Sequence, residues 1–144
     1  MFNHDVLNFN VEKFDLGAFN PNFGGIDGGK IDPSLGVGLR RTDSGEPIAI
    51  VSDAYEPVQY LDLVENLEQS IAMSGIDLDG AEFQTNVIGH GEQLELTAKF
   101  NAEATTIDGR NDLVTPQFKF RTSHNRTWAN NGMMGYFRSA CYNT

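Results

Sequence analysis

The segment AEFQTNVIGHGEQLELTAKF, residues 81–100, leaves little choice of conformation. Phe83, Thr85 and Val87 recur at every second position before Gly89-His90-Gly91, and Leu94, Leu96, Ala98 and Phe100 do so after it. A period of two sends each set to one face of a strand, and a glycine-rich break between two such runs folds them into an antiparallel hairpin. His90 is expected at its tip. One face of the hairpin is apolar and must be covered, so the rest of the chain has to supply a second apolar surface.

Three other stretches supply candidates for that surface. LGVGLRR and PIAIVS are joined by TDSGE, whose Asp43, Ser44 and Gly45 suit a hairpin turn. EPVQYLDLVENLEQSIAMSG carries Leu61, Val64, Leu67 and Ile71 on one helical stripe before Gly75. Pro57 is expected near the first turn, with Ser52 or Asp53 satisfying open N–H groups. After the turn signal Asp108-Gly109, PQFKFRTS alternates Phe118 and Phe120 with Lys119 and Arg121, and GYFRSACYN reads as a last strand. The expected fold class is α+β: an antiparallel sheet of hairpins, about four to six strands, packed with one main helix.

Residues 1–34 read as an N-terminal arm and residues 35–144 as the α+β domain. The arm interleaves Phe2, Phe9, Phe14, Phe19 and Phe23 with asparagines and shows no sustained period. Five exposed rings would invite aggregation, so the arm is expected to lie across its own domain, or to reach a neighbouring subunit. Within it, Gly24, Gly29 and Lys30 have the spacing of a phosphate-cradling loop. Ile31 stands where a metal-holding Ser or Thr is needed, Pro33 stops a helix, and no β-branched strand leads in. A glycine-rich connector is the expectation there, and no nucleotide cofactor.

Asp77-Leu78-Asp79-Gly80 has too few ligands for a calcium loop and reads as a tight turn. His4, His90, His124 and Cys141 show no metal-ligand spacing, and no nucleophile and base stand together in sequence, so neither a metal nor a catalytic site is expected. A lone cysteine forms no internal disulfide, the N-terminus has no signal-peptide pattern, and no apolar run approaches ~20 residues. Those features point to a cytoplasmic chain without a membrane partner.

Charge is unevenly spread. Residues 1–95 hold 17 acids and 4 bases, residues 96–144 hold 3 acids and 6 bases, and the whole chain carries a net charge of -10. A chain so acidic is repelled by duplex DNA on average, because affinity there comes largely from Lys and Arg releasing counterions. Only the last third offers a basic face. There Lys119, Arg121, His124, Arg126 and Arg138 are mixed with Trp128 and further aromatic residues. Cations that track phosphates and rings that stack on bases are the combination that holds single-stranded nucleic acid. The alternation of Phe118 and Phe120 with Lys119 and Arg121 is equally that of an ordinary half-buried strand.

RRTDSGEPIAIVSDAYEPVQ, GHGEQLELTAKF, TSHN and RSACYNT resemble, in that order, motifs of the phage- and plasmid-type proteins grouped as domain of unknown function 932. The resemblance covers residues 36–144 and leaves the loop from Arg126 to Gly135 unaligned. It implies a mobile-element origin, no established enzyme activity, and a chain that continues past the CxNT motif, so that a fragment of a longer protein is expected. The functional expectation is a non-catalytic accessory protein that binds single-stranded nucleic acid through its basic and aromatic last third. The alternative is an acidic module that engages a basic protein partner, imitating the charge of DNA or serving a phage structural role, with homo-oligomers allowed by either reading.

Overall fold

Sequence alternation and turn chemistry account for most of the strands in the computed structural model, which describes residues 1–16, 35–101, 103–107, 110–128 and 131–138. Among these, eight strands, one short 3-10 turn and one α-helix follow in the order β1 (Val11–Phe14), β2 (Val37–Arg41), β3 (Pro47–Val51), α1 (Tyr60–Met73), β4 (Glu82–Ile88), β5 (Gln93–Lys99), β6 (Glu103–Ile107), β7 (Arg110–Ser123) and β8 (Asn131–Arg138), with the 3-10 turn at Asp5–Leu7. The class is α+β, with all pairings antiparallel. The strands divide between two sheets: β1-β2-β3, and a larger one in which β4 pairs β5, β5 pairs β7, and β7 also pairs β6 and β8.

The central hairpin has the register its period requires. Phe83, Thr85 and Val87 lie opposite Ala98, Leu96 and Leu94, and Leu94, Leu96 and Ala98 are fully buried. β7 continues the face: Phe118 and Phe120 pair with Ala98 and Leu96. At fourteen residues it is long enough to serve three neighbours. Its 110–114 stretch pairs β6, whereas β5 and β8 both pair residues 117–121 and so flank that stretch on opposite edges. β6 was not anticipated, and the loop expected between Arg126 and Gly135 becomes β8 from Asn131 onward, since pairing with β7 supplies backbone partners whatever the side chains prefer.

The apolar cover comes from three sources. Helix α1 contributes Tyr60 and Val64, with Leu61, Leu67 and Ile71 packed against them, as the stripe predicts. β3 contributes Ile48. The third source is residues 1–16: Phe2, Leu7, Phe9 and Val11 belong to the same core, and Phe2 meets Phe83 edge-on at 5.1 Å. Where no period was evident, Val11–Phe14 forms a strand because β2 offers it an edge.

Helix entry differs from expectation. α1 starts three residues beyond Pro57, with extended Gln59 as its cap residue, and its side chain makes no capping bond. Instead Gln59 clasps β1: its Oε1 accepts from the Val11 amide at 2.8 Å and its Nε2 donates to the Val11 carbonyl at 3.1 Å. Ser52 and Asp53 form a separate turn and do not cap the helix; the Asp53 carbonyl accepts from Lys13 Nζ. At the other end, Gly75 adopts φ +79°, the left-handed conformation that terminates helices. Asp77 to Gly80 is a turn, with Asp77 Oδ1 accepting from the Asp79 amide at 2.9 Å. The glycine-rich segment around Gly24 and Lys30, the turn Asp108-Gly109 and Cys141 lie outside the described residues.

Gly91 shows how closely the N-terminal segment is fitted. It has φ +113°, and a Cβ there would stand 2.7 Å from the Phe9 ring. Gly91→Ala is expected to destabilise the protein by about 1–3 kcal/mol through backbone strain and that contact. Phe9→Ala is expected to cost about 3–5 kcal/mol. Urea denaturation midpoints would check both, and a Phe9→Ala midpoint equal to wild type would show that residues 1–16 are not part of the folded core.

Candidate functional site

Where β7 ends, still paired with β5 through Ser123, the residues that follow meet the segment that leads into α1. His124 is the pivot. Its amide donates to the Glu92 carbonyl at 2.8 Å, and its ring is buried, 1 % exposed. It stacks on Tyr60, centroids 4.1 Å apart and planes 18° from parallel. The Tyr60 hydroxyl donates to the Gly91 carbonyl at 2.9 Å. Burial pushes the Tyr60 phenol up and pulls the His124 imidazole down to about 4, so both rings are neutral at physiological pH. His124 Nδ1 lies 3.5 Å from the Tyr55 hydroxyl, and Nε2 is buried without a partner among the described residues.

Above this pair opens a cleft of about 330 Å³. It is lined by Tyr55, Glu56 and Val58 from the segment before α1, by Tyr60 at the start of α1, by Thr122, Ser123 and His124 at the end of β7, and by Arg126 and Trp128 just beyond. Ser123 holds the Trp128 backbone, its hydroxyl donating to the Trp128 carbonyl and accepting from the Trp128 amide, both at 2.9 Å. Asn125 adds a local turn by accepting from the Thr127 amide and hydroxyl. Between them Arg126 takes φ +64°, the one non-glycine residue with positive φ among the described residues. Such a conformation is sparsely populated and persists only where its surroundings hold it.

The larger sheet brings most of the sequence candidates together, but not equivalently. Lys119 and Arg121 lie on the face away from the core, opposite Thr97 and Glu95. Both reach Glu95, Arg121 at 2.7 Å and Lys119 at 4.0 Å. Arg121 also stands over the Trp128 ring, 5.1 Å from its centroid. Trp128 therefore joins that face to the cleft. Arg126 is exposed and, unlike Arg40, Arg41 and Arg121, has no carboxylate partner among the described residues. Arg138 is placed by register alone, opposite Val114. Seven residues of β7 separate that position from Arg121, about 23 Å of extended chain, which takes it away from the cleft.

Neither Tyr55 nor Tyr60 was among the residues the sequence singles out for a site. Tyr55 is half-buried and lines the cleft. Tyr60 was one residue outside the apolar stripe. The signal available for both was the spacing Tyr55-x-Pro57-x-x-Tyr60, which puts two phenols at a helix entry. Among the described residues no three His, Cys, Asp or Glu side chains gather as a metal site, and no helix is long and apolar enough to cross a membrane.

A buried histidine held neutral makes stability depend on pH. Because its folded pKa lies below the unfolded value of 6.5, the unfolded chain binds the additional proton between the two. The associated stability is complete above 6.5 and is lost as pH falls toward 4. From about pH 7.5 to about pH 5 the loss is expected to be on the order of 2 kcal/mol. His124→Phe keeps the stack on Tyr60 and should remove this component. Denaturation midpoints of both proteins across that interval would check it, and an unchanged pH dependence in His124→Phe would count against a neutral buried imidazole.

Residues 47–144, more than half of the chain, match the family described as Domain of unknown function (DUF932). No curated protein and no solved structure matches the chain. The matched stretch begins at the first residue of β3 and takes in α1, the larger sheet and every residue that lines the cleft. The chain belongs to the DUF932 family.

Proposed function

We propose that this protein binds single-stranded nucleic acid, without catalysing a reaction on it, along the outer face of β7 and into the cleft at its end. The mobile-element accessory role implied by the phage- and plasmid-type resemblance accords with that activity. The observation that carries the reading is the position of Trp128, which lies under Arg121 and lines the same cleft as Arg126. A ring with one guanidinium over it, in a cleft whose other arginine has no carboxylate partner among the described residues, offers a stacking surface with cations at phosphate reach. On the surrounding outer face the register sets Gln84, Thr97, Lys119 and Met133 in one row and Asn86, Glu95, Arg121 and Asn131 in the next.

Glu95 opposes binding. It neutralises part of the charge of Lys119 and Arg121, and the net charge of -10 repels a polyanion at long range. Binding is therefore expected at low ionic strength and to weaken steeply with salt, with a log–log slope of about -2 if Lys119, Arg121 and Arg126 each meet a phosphate.

A second reading rests on α1. Asp62 and Glu65 on its outer side, with Asp77, Asp79 and Glu82 beyond it, are exposed acids with no cation partner among the described residues, and would suit a basic protein. Glu68 is not part of that surface. It is half-buried and holds the Met1 ammonium, the Phe2 amide and His4.

Trp128 is the only tryptophan of the chain, so its fluorescence reports on this site alone. Titration with a mixed-sequence single-stranded oligonucleotide at low salt is expected to quench it. Arg126→Gln should reduce the salt slope by about 0.7. Glu95→Gln, which frees two cations, should tighten binding. Absence of binding at low salt, or tight binding indifferent to both substitutions, would reject the proposal. Retention on a basic protein that weakens in Glu65→Gln would favour the second reading.

A further inference from the structure

We infer that the cleft seats a single unstacked nucleotide, with its base against Tyr55 and Trp128 and its phosphate at Arg126. This rests on the single-strand reading and specifies which part of the strand the cleft takes. Four features of the cleft select for a planar, neutral group attached to an anion.

The first is size. At about 330 Å³ it stands at the small end of ligand sites, which run about 300–1,000 Å³. It has room for one nucleotide unit and none for a duplex, whose paired bases cannot reach into it without leaving the stack. The second is the wall chemistry. Tyr55 and Trp128 stand on separate loops and are only partly buried, and Val58 beside them is 52 % exposed. Apolar and aromatic surface left open to water is suited to the flat face of a base.

The third is the charge within the cleft. Thr122, Ser123 and His124 line it without net charge, because burial keeps the imidazole neutral. An anion gains little there, whereas an uncharged base is accommodated. The fourth is the distribution of charge at the rim. Arg126 has no carboxylate partner among the described residues and takes a left-handed conformation, while the carboxylate of Glu56, which also lines the cleft, is paired with Lys13 at 2.9 Å. A cation is thus available to a phosphate, and the carboxylate of the same cleft already has a cation of its own.

The experiment compares a base with its absence. Trp128 fluorescence would be titrated with thymidine 5′-monophosphate and with deoxyribose 5-phosphate. In parallel, an oligothymidylate would be compared with an abasic strand of equal length. Both base-bearing ligands are expected to bind about 5- to 150-fold more tightly than their base-free counterparts, the usual worth of one base on an aromatic platform. Tyr55→Ala should erase the difference and Tyr55→Phe should keep it, which separates a missing wall from a misfolded protein. If the ordinary and abasic strands bind equally and the mononucleotide does not bind, the seat is wrong and the single-strand reading survives. If the mononucleotide binds through its base and no strand binds, the seat stands and the strand reading falls. If nothing binds, both are wrong.

Discussion

Much of this structure depends on the burial of Tyr60. A phenol taken out of water must keep a partner for its hydroxyl, since an unpaired buried donor costs about 1–3 kcal/mol. Here that partner is the carbonyl of Gly91. The single bond connects the first residue of α1 to the turn between β4 and β5, and two ring contacts complete the arrangement. Phe9 meets it edge-on at 5.9 Å and His124 stacks on it at 4.1 Å. Four segments distant in sequence therefore converge on one side chain. The cleft is a consequence of that convergence.

The same economy explains the N-terminal residues. A larger sheet with one apolar face cannot be covered by a fourteen-residue helix alone, and Phe2, Leu7 and Phe9 fill what α1 leaves open. Their attachment is polar as well as apolar. Glu68 on α1 gathers the chain's first ammonium, an amide and His4, while Gln59 pairs with β1 as a strand would. Arg41 spans the two hairpin turns, over the Phe9 ring at 3.9 Å and donating to the His90 carbonyl, and so ties the smaller sheet to the larger.

Electrostatics then distinguish residues that composition treats alike. Four cations of the last third were candidates for one surface, yet Glu95 sits opposite Arg121 in register and within reach of Lys119, whereas Arg126 is left alone at the cleft. An exposed ion pair of that kind contributes little to stability. Its larger effect is to reduce the positive field of the face, which leaves the unpaired guanidinium beside Trp128 as the local anion-seeking group.

The sequence alone determined what depends on period and on turn chemistry. The hairpin about Gly89 and Gly91, the alternation of its two strands, the outward direction of Lys119 and Arg121, the stripe of α1 and the turns at Gly45 and Gly80 were all legible, because side-chain alternation and left-handed glycines act over a few residues. Family membership was legible too, through the order of short motifs from PIAIVSDAYEPVQ to RSACYNT, whereas RRTDSGE lies before the matched stretch. Tertiary structure decided the rest. Val11–Phe14 became a strand because β2 presented an edge, the helix began beyond Pro57 because Gln59 was taken by β1, and Asn131 onward paired with β7. Only the fold could show that Tyr55, Tyr60, His124 and Trp128 surround one cleft while Arg138 lies far along β7. Contacts between residues 31 to 69 positions apart leave no period to read; they arise from which buried groups must share partners once the chain is compact.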